Sequence, residues 1–373
     1  MRQKAGFLCR LGQISTVVLL ATAALIAACS TPEHQAGAPY HHTTSGFRNP
    51  EGSPQGYSTW ERLPALGKHI FGRLGELEAP PGNVVPPVEA LASLKAMNGA
   101  DSITWIGHMT ALLRLNGKVV LTDPWFSQYA SPIAPLGPQR IAAPGIAIED
   151  LPPIDIVIVS HSHYDHLDLD TIARLPNRED ITAVVPLGLG HYFSETGYGR
   201  VVELDWREKT QAAGLSITAM PVIHWSKRSF FDKNDTLWAA YAIEAPNGLR
   251  VYFGGDAEYG PVYKTLRDQL GGFDAAILSV GAFRPRVIMQ GNHCIPETCL
   301  QIGLDLDAHT LIAMHWGTIG LGSEGFWEPV EGFRAAGRKA EIADDRIWIM
   351  KIGETRKLSA RPDPALASKP ATP

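Results

Sequence analysis

The sequence predicts an α/β fold with sheets at its centre and helices outside. Two observations carry this. Short β-branched runs of strand length alternate with helical stretches through both halves of the chain. One run, residues 154–160 (IDIVIVS), is continuously apolar, as a strand covered on both faces must be. With 373 residues, 45% hydrophobic and 19% charged, the chain has ample material for a large core, which excludes disordered and fibrous classes.

The first element is an export signal. Arg2, Lys4 and Arg10 precede the uncharged run ISTVVLLATAALIAA (residues 14–28), which ends at Cys29. A basic head, an apolar middle and a small-residue cleavage site in that order make a signal peptide. The apolar run is shorter than the roughly 20 residues a comfortable membrane span needs. Residues 26–29 (IAAC) resemble the lipobox of bacterial lipoproteins, in which the Cys becomes the acylated first residue. Residues 1–28 therefore read as a lipoprotein-type signal peptide. The mature protein is expected to be exported and membrane-anchored, at the outer membrane or the periplasmic face if the cell is Gram-negative, where Ser30 after the Cys fits outer-membrane sorting. An uncleaved anchor helix and a soluble export signal are the alternatives.

Cleavage would remove three of the 33 basic residues and none of the 38 acidic ones, so 30 would face 38 and the net charge would move from -5 to -8. Such a surface repels polyphosphate and argues against nucleic acid as a partner. Four Cys in a chain of this length cannot form a disulfide framework.

Residues 29–98 are rich in Pro, Gly, His and Ser without a sustained period of 2 or 3.6. They read as a tether followed by a loosely structured arm that wraps a core. From Gly99 the texture changes. SITWIG, ALLRL and KVVLTD are strands, and Asn116-Gly117 is a hairpin turn between the last two. Further strands are expected at ITAVVP, LSITAMP, TLWAAYAIEA, LRVYFGG, DAAILSV and TLIAMH. Helices are expected near residues 169–174, 261–269, 296–304 and 325–336. Residues 99–358 form one catalytic domain on this reading, and residues 359–373 a C-terminal tail.

The most informative stretch follows the apolar strand: Ser160-His161-Ser162-His163-Tyr164-Asp165-His166-Leu167-Asp168. Four ligand-type side chains within six residues at a strand end suit zinc, and also iron or manganese. So short a loop cannot bring all four to one ion, which points to two ions completed from elsewhere. His224, Asp256 and His315 each follow a run of β-formers, and a buried Asp between two cations is a natural bridge.

This ligand order, HxHxDH followed by distant His, Asp and His, resembles that of the metallo-β-lactamase superfamily. The blocks TWIGHMT, LTDPWFS, LPPIDIVIVSHSHYDHLD, ELDWRE, HWSKR, FGGDAEYGP, GAFRPR and AMHWGT are similar to its N-acyl-phosphatidylethanolamine-hydrolysing phospholipase D branch. The likeness covers residues 102–357. It implies an αββα sandwich, two mixed β-sheets packed face to face with helices on both outer faces. It assigns His161, His163 and His224 to one Zn²⁺, Asp165, His166 and His315 to a second, and Asp256 to the bridge. His293, in NHCIPETC, matches the family's substrate-proximal His.

Asp165, Asp256 and His293 are the expected catalytic residues. The resemblance implies hydrolysis of an N-acyl-phosphatidylethanolamine-like phospholipid to phosphatidic acid and an N-acylethanolamine, by hydroxide held between two metals. No G-x-S-x-G elbow or phosphate-binding G-x-x-x-x-G-K-[ST] loop is present, consistent with that route. His108 and Asp123 are expected to orient ligating imidazoles, and Asp168 to cap the helix after it. Trp225, Phe230, Phe231, Trp238 and Trp316 either line an acyl-chain groove or belong to the core. Cys294 and Cys299 are expected as small buried residues, and their spacing does not decide whether they pair. The expected partners are a phospholipid substrate and a membrane surface reached through the lipid anchor; a homodimer is left open. Two rivals stand: another metal-dependent hydrolase on this scaffold, for a lactone, amide or cyclic phosphodiester, and a non-catalytic surface lipoprotein that binds metal or lipid.

Overall fold

The structure, a computed structural model, describes residues 33–58, 60–65 and 79–361. The expected signal peptide and Cys29 lie outside the described residues, as does the tail beyond residue 361. No helix among the described residues is long and apolar enough to cross a membrane. The chain divides into two compact units, residues 1–45 and 46–373. The described part of the first is a short turn structure in which His34 bridges Thr43.

The second unit holds two seven-stranded sheets. The first comprises β1 (Ser102–Gly107), β2 (Thr110–Leu115), β3 (Lys118–Thr122), β4 (Ile156–Ile158), β5 (Thr182–Pro186), β6 (Arg200–Leu204) and β14 (Thr355–Lys357) in the order β14-β1-β2-β3-β4-β5-β6. The second comprises β7 (Lys209–Ala212), β8 (Leu215–Met220), β9 (Ala240–Glu244), β10 (Arg250–Phe253), β11 (Phe273–Ser279), β12 (Ala308–Met314) and β13 (Ile347–Ile349) in the order β13-β12-β11-β10-β9-β8-β7. Both sheets are mixed. β3 to β6 run parallel, as do β10 to β13, and the remaining pairs are antiparallel.

Alternation places the core. Ile103, Trp105, Leu113, Val120, Ile156, Ile158 and Val184 of the first sheet join Ile217, Tyr241, Ile243, Val251 and Phe253 of the second in one buried cluster. Their neighbours Leu112, Leu121, Val157, Ala183 and Val185 point the other way. They pack against Ala90 and Leu94 of α1 (Pro87–Ala96) and Ile172 of α2 (Leu169–Arg174). The first sheet is therefore apolar on both faces, as the 154–160 run required. α3 (Val262–Leu270), the short α4 (Arg286–Met289), α5 (Pro296–Asp305) and α6 (Glu328–Lys339) follow, and α5 packs on β11 and β12. This is the expected αββα sandwich.

The structure departs from the sequence reading in several places. The arm contains a ten-residue helix, α1, where no period was evident, because only Ala90 and Leu94 of it are buried. The strand expected from Thr236 starts at Ala240, since the Leu237 and Ala239 amides donate instead to the carbonyls of Leu187 (2.9 Å) and Ser160 (2.9 Å). Strands β6, β7, β13 and β14 are additional. Cys294 and Cys299 are joined by a disulfide. The chain turns at Pro296 into α5, which brings their Cα atoms to 5.4 Å.

Candidate metal centre

Each candidate ligand stands just beyond a strand end. His161 to His166 follow β4, His224 follows β8, Asp256 follows β10 and His315 is the residue after β12. His108, Asp123 and His315 have positive φ (55°, 33° and 65°), a conformation that costs non-glycine residues energy and is found where a side chain must be aimed. Gly255, also at positive φ, is needed for a second reason: a Cβ there would lie 2.6 Å from the Cβ of Ser160.

The seven predicted ligands converge on one buried cluster at the rim where the sheets meet. Asp256 is central, with Oδ2 3.2 Å from His166 Nε2, 3.7 Å from His224 Nε2 and 4.0 Å from His161 Nε2, and Oδ1 3.0 Å from His315 Nε2. On one side the ring nitrogens of His161, His163 and His224 gather; on the other, Asp165, His166 and His315 do, joined by His108.

Proton bookkeeping shows what the cluster needs. His161 Nδ1–H donates to Ser160 Oγ (2.9 Å), whose own proton goes to Asp123 Oδ2 (2.6 Å). His224 Nδ1–H donates to the Asn292 carbonyl (2.8 Å), and His166 Nδ1–H to Asp123 Oδ2 (2.6 Å). The remaining nitrogens of His161 and His224 are thus lone pairs aimed inward, 2.7 and 3.3 Å from His163 Nδ1, while His166 Nε2 faces the carboxylates of Asp256 and Asp165. His166 Nε2, His315 Nε2 and Asp256 Oδ1 are buried without a hydrogen-bond partner among the described residues. Imidazole nitrogens and carboxylates converging in a dry site can hold cations, and imidazole with carboxylate is a donor set that divalent metals take.

The electrostatics agree. Burial and the neighbouring imidazoles hold His108 and His163 at about 3 and His161 well below the usual value. Burial likewise lowers His224 to about 4. Neutral imidazole is the ligating form. Burial also works against a charged His166, yet Asp256, Asp165 and Asp123 carry it well above the ordinary value. Burial works against ionised Asp256 as well, but His166, His315 and His293 bring it well below the usual range. Positive charge is drawn to the place where the carboxylates meet.

A model of the Beta-lactamase superfamily domain matches residues 118–316, a stretch that contains all seven residues and the strands presenting them. The N-acyl-phosphatidylethanolamine-hydrolyzing phospholipase D 1 of Caenorhabditis elegans is 34% identical over 271 residues, 69% of this chain and 76% of that one. The chain belongs to the metallo-β-lactamase superfamily. Within it, the chain is a member of the N-acyl-phosphatidylethanolamine-hydrolysing phospholipase D-like branch. An uncharacterized Mycobacterium tuberculosis protein is 38% identical over 246 residues, and the match spans 65% of each chain. Among solved structures, a possible metal-dependent hydrolase from Veillonella parvula shares the fold, with a TM-score of 0.56, 16% identity, and coverage of 70% of this chain and all of that one. The chain thus belongs to a family of metal-dependent hydrolases and carries a His and Asp cluster able to hold metal.

Around this cluster, His108 Nε2 lies 2.9 Å from Asp165 Oδ2, and Asp123 takes three donors: the Ser160 amide (2.6 Å), the Ser160 hydroxyl and His166 Nδ1. His293 reaches the cluster, its Nδ1 4.0 Å from Asp256 Oδ2. Asp168 stands at the N-cap position of α2, but its carboxylate does not bond the helix amides. It accepts from the Phe126 and Ser127 amides and the Thr171 hydroxyl, tying α2 to the loop after β3. The expected aromatic groove divides. Trp238 and Trp316 are core, Trp225 packs 4.5 Å from the His163 ring, and Phe230 and Phe231 project into solvent.

Other residues that hold the site were not singled out. Arg228 donates to the carbonyls of Ser162 (2.9 Å) and Leu167 (2.6 Å), bracing the ligand loop, and the Asn49 side chain accepts from the His224 amide (2.9 Å). Arg286 links Glu258 (2.7 Å) to the His293 carbonyl (2.6 Å). Arg228 lies inside the HWSKR block, which was the available signal; backbone partners such as Asn292 leave none.

Proposed function

We propose that this protein is a zinc-dependent phosphodiesterase of phospholipase D type, which hydrolyses N-acyl-phosphatidylethanolamine-like phospholipids to phosphatidic acid and an N-acylethanolamine. The observation that carries the reading is the convergence of all seven ligand-type residues, in a chain 34% identical to a hydrolase named for that reaction.

On this reading His161, His163 and His224 would hold one ion, Asp165, His166 and His315 would hold a second, and Asp256 would serve both. Two such ions lower the pKa of water and neutralise charge on a phosphoryl group. The protein's own part is positional. Ser160, Asp123, His108 and the Asn292 carbonyl fix which nitrogen of each ligand faces inward. His293 Nδ1, buried and unpartnered among the described residues, donates to a phosphoryl oxygen and so orients the diester. Water adds at phosphorus, the bond to the ethanolamine oxygen breaks, and that oxygen leaves with a proton as the alcohol. The phospholipid reaches the site from a membrane to which the acylated Cys29 tethers the exported protein.

The test incubates the zinc-loaded protein with a mixed lipid extract and follows products by mass spectrometry. Phosphatidic acid and N-acylethanolamines should appear together and vanish with chelator; the appearance of neither rejects the assignment.

A further inference from the structure

The segment that follows His224 forms a loop, residues 225–236, rooted on the metal-ligand loop. Trp225 stands edge-on to His163, and Arg228 Nη1 donates to the carbonyls of Ser162 and Leu167. The loop is braced within itself. Asp232 accepts from the Arg228 and Ser229 amides (3.1 and 2.7 Å), the Asn234 amide donates to the Ser226 carbonyl (2.9 Å), and the Ser226 hydroxyl donates to the Thr236 carbonyl (2.5 Å). None of this bracing uses the side chains at its tip. Phe230 and Phe231 are 90% and 94% exposed, more than any other large apolar residue among those described.

Two adjacent phenyl rings held in water by an ordered loop are a surface awaiting an apolar partner. Burying either would raise an association constant more than about tenfold. The flanking charges choose the partner. Lys227 Nζ lies 6.0 Å from the Phe230 ring and Lys233 Nζ 5.9 Å from the Trp225 ring, while the Asp232 carboxylate is engaged by backbone amides; Asp235 is the other acidic residue of the loop. Aromatic rings at the tip with ammonium groups behind them match the depth profile of a bilayer, apolar acyl boundary first and phosphate head groups next.

We infer that the 225–236 loop docks on an anionic phospholipid bilayer, with Phe230 and Phe231 entering the acyl boundary and Lys227 and Lys233 among the head groups. This contact is separate from any acyl anchor at Cys29 and does not depend on which ester the site cleaves.

The experiment uses the full chain carrying Cys29→Ser, with phosphatidylcholine vesicles made with and without phosphatidylglycerol. Phe230→Ser/Phe231→Ser should weaken sedimentation with the anionic vesicles at least about tenfold, and Lys227→Gln/Lys233→Gln should remove most of the preference for phosphatidylglycerol. Both variants should hydrolyse a water-soluble phosphodiester as the parent does, which separates this result from failure of the catalytic reading. A local probe removes any contribution of the N-terminal segment: Phe231→Trp should add fluorescence that brominated lipids quench. Equal sedimentation of the parent and the double Ser variant, or an unquenched tip Trp, overturns the inference.

Discussion

The two halves of the proposed ligand cluster, three imidazoles on one side and two imidazoles with a carboxylate on the other, are held differently. Behind His166 stands a buried carboxylate, Asp123, and behind Asp165 a buried imidazole, His108. His161 and His224 lean on neutral oxygens instead, the Ser160 hydroxyl and the Asn292 carbonyl. His163, less buried than either, has no partner at Nε2 among the described residues. One half is locked by charge at His166 and Asp165, though not at His315, and the other, more open half is held at His161 and His224 by dipoles alone. An ionised partner gives roughly twice the hydrogen-bond strength of a neutral one, so the two halves should respond unequally to loss of their supports.

The largest effect should come from the residue both halves share. Asp256→Asn keeps the volume but removes the charge that five imidazoles face. Metal content measured by atomic emission should fall for both of the proposed ions, and hydrolysis by more than about 100-fold, beyond the range seen for outer partners. A variant that kept full metal and activity would dissolve the comparison, because neither half would then depend on the bridge.

Asp123→Asn tests the locked half. It leaves a hydrogen-bonding group of equal size but weakens the acceptor for His166 Nδ1–H and for both Ser160 donors. Metal affinity from a competition titration should drop about 10- to 100-fold, with the loss confined to one of the two ions. Equal loss from both would show that the halves are not separately supported.

Acid should act on the metal-free protein through the open half and His108 together. His108 and His163 titrate at about 3 and His224 at about 4 in the fold, against 6.5 when unfolded. Depressed imidazoles cost stability wherever the unfolded chain is protonated and the fold is not. The midpoint of thermal unfolding should therefore fall as pH drops from about 6.5 towards 4 and 3. His166 has the opposite sign, its contribution complete below pH 6.5 and lost as pH rises through its raised value. A stability curve flat across that acid window would contradict the buried neutral state of these rings.

How much of this was legible follows the same division between side chains and backbone. The HxHxDH stretch could be read because the 154–160 run fixed a strand directly before it, and His224, Asp256 and His315 because each ends a β-branched run. The supports of the locked half, His108 and Asp123, are side chains in recognisable blocks. Those of the open half are partly carbonyls, which every residue carries, so nothing marks Asn292. The same holds for the fold. Central strands announce themselves by apolar runs, whereas β6 and β7 lie at sheet edges as RVVEL and KTQA, polar and partly exposed, and β13 and β14 are three residues each. Sheet pairing made them strands.

Ser160→Ala should give the smallest effect and is the sharpest test of the difference. The hydroxyl relays between the halves, accepting from His161 Nδ1 and donating to Asp123 Oδ2. Without it, Asp123 keeps two donors, the residue 160 amide and His166 Nδ1, so the locked half retains its charge-assisted support. His161 loses its only support at Nδ1 among the described residues, a neutral bond worth about 1 kcal/mol, or about fivefold in affinity for the ion on that side. Because methyl fills nearly the same space, packing should not add to the loss. A competition titration of wild type, Ser160→Ala, Asp123→Asn and the double variant resolves the relay. If charge behind the ligand sets its strength, Ser160→Ala weakens the His161, His163 and His224 side alone, and its effect shrinks when Asp123 is already Asn, since the two groups share one hydrogen bond. A Ser160→Ala loss as large as that of Asp123→Asn, spread over both ions, would mean that the hydroxyl relay rather than the carboxylate holds the centre together.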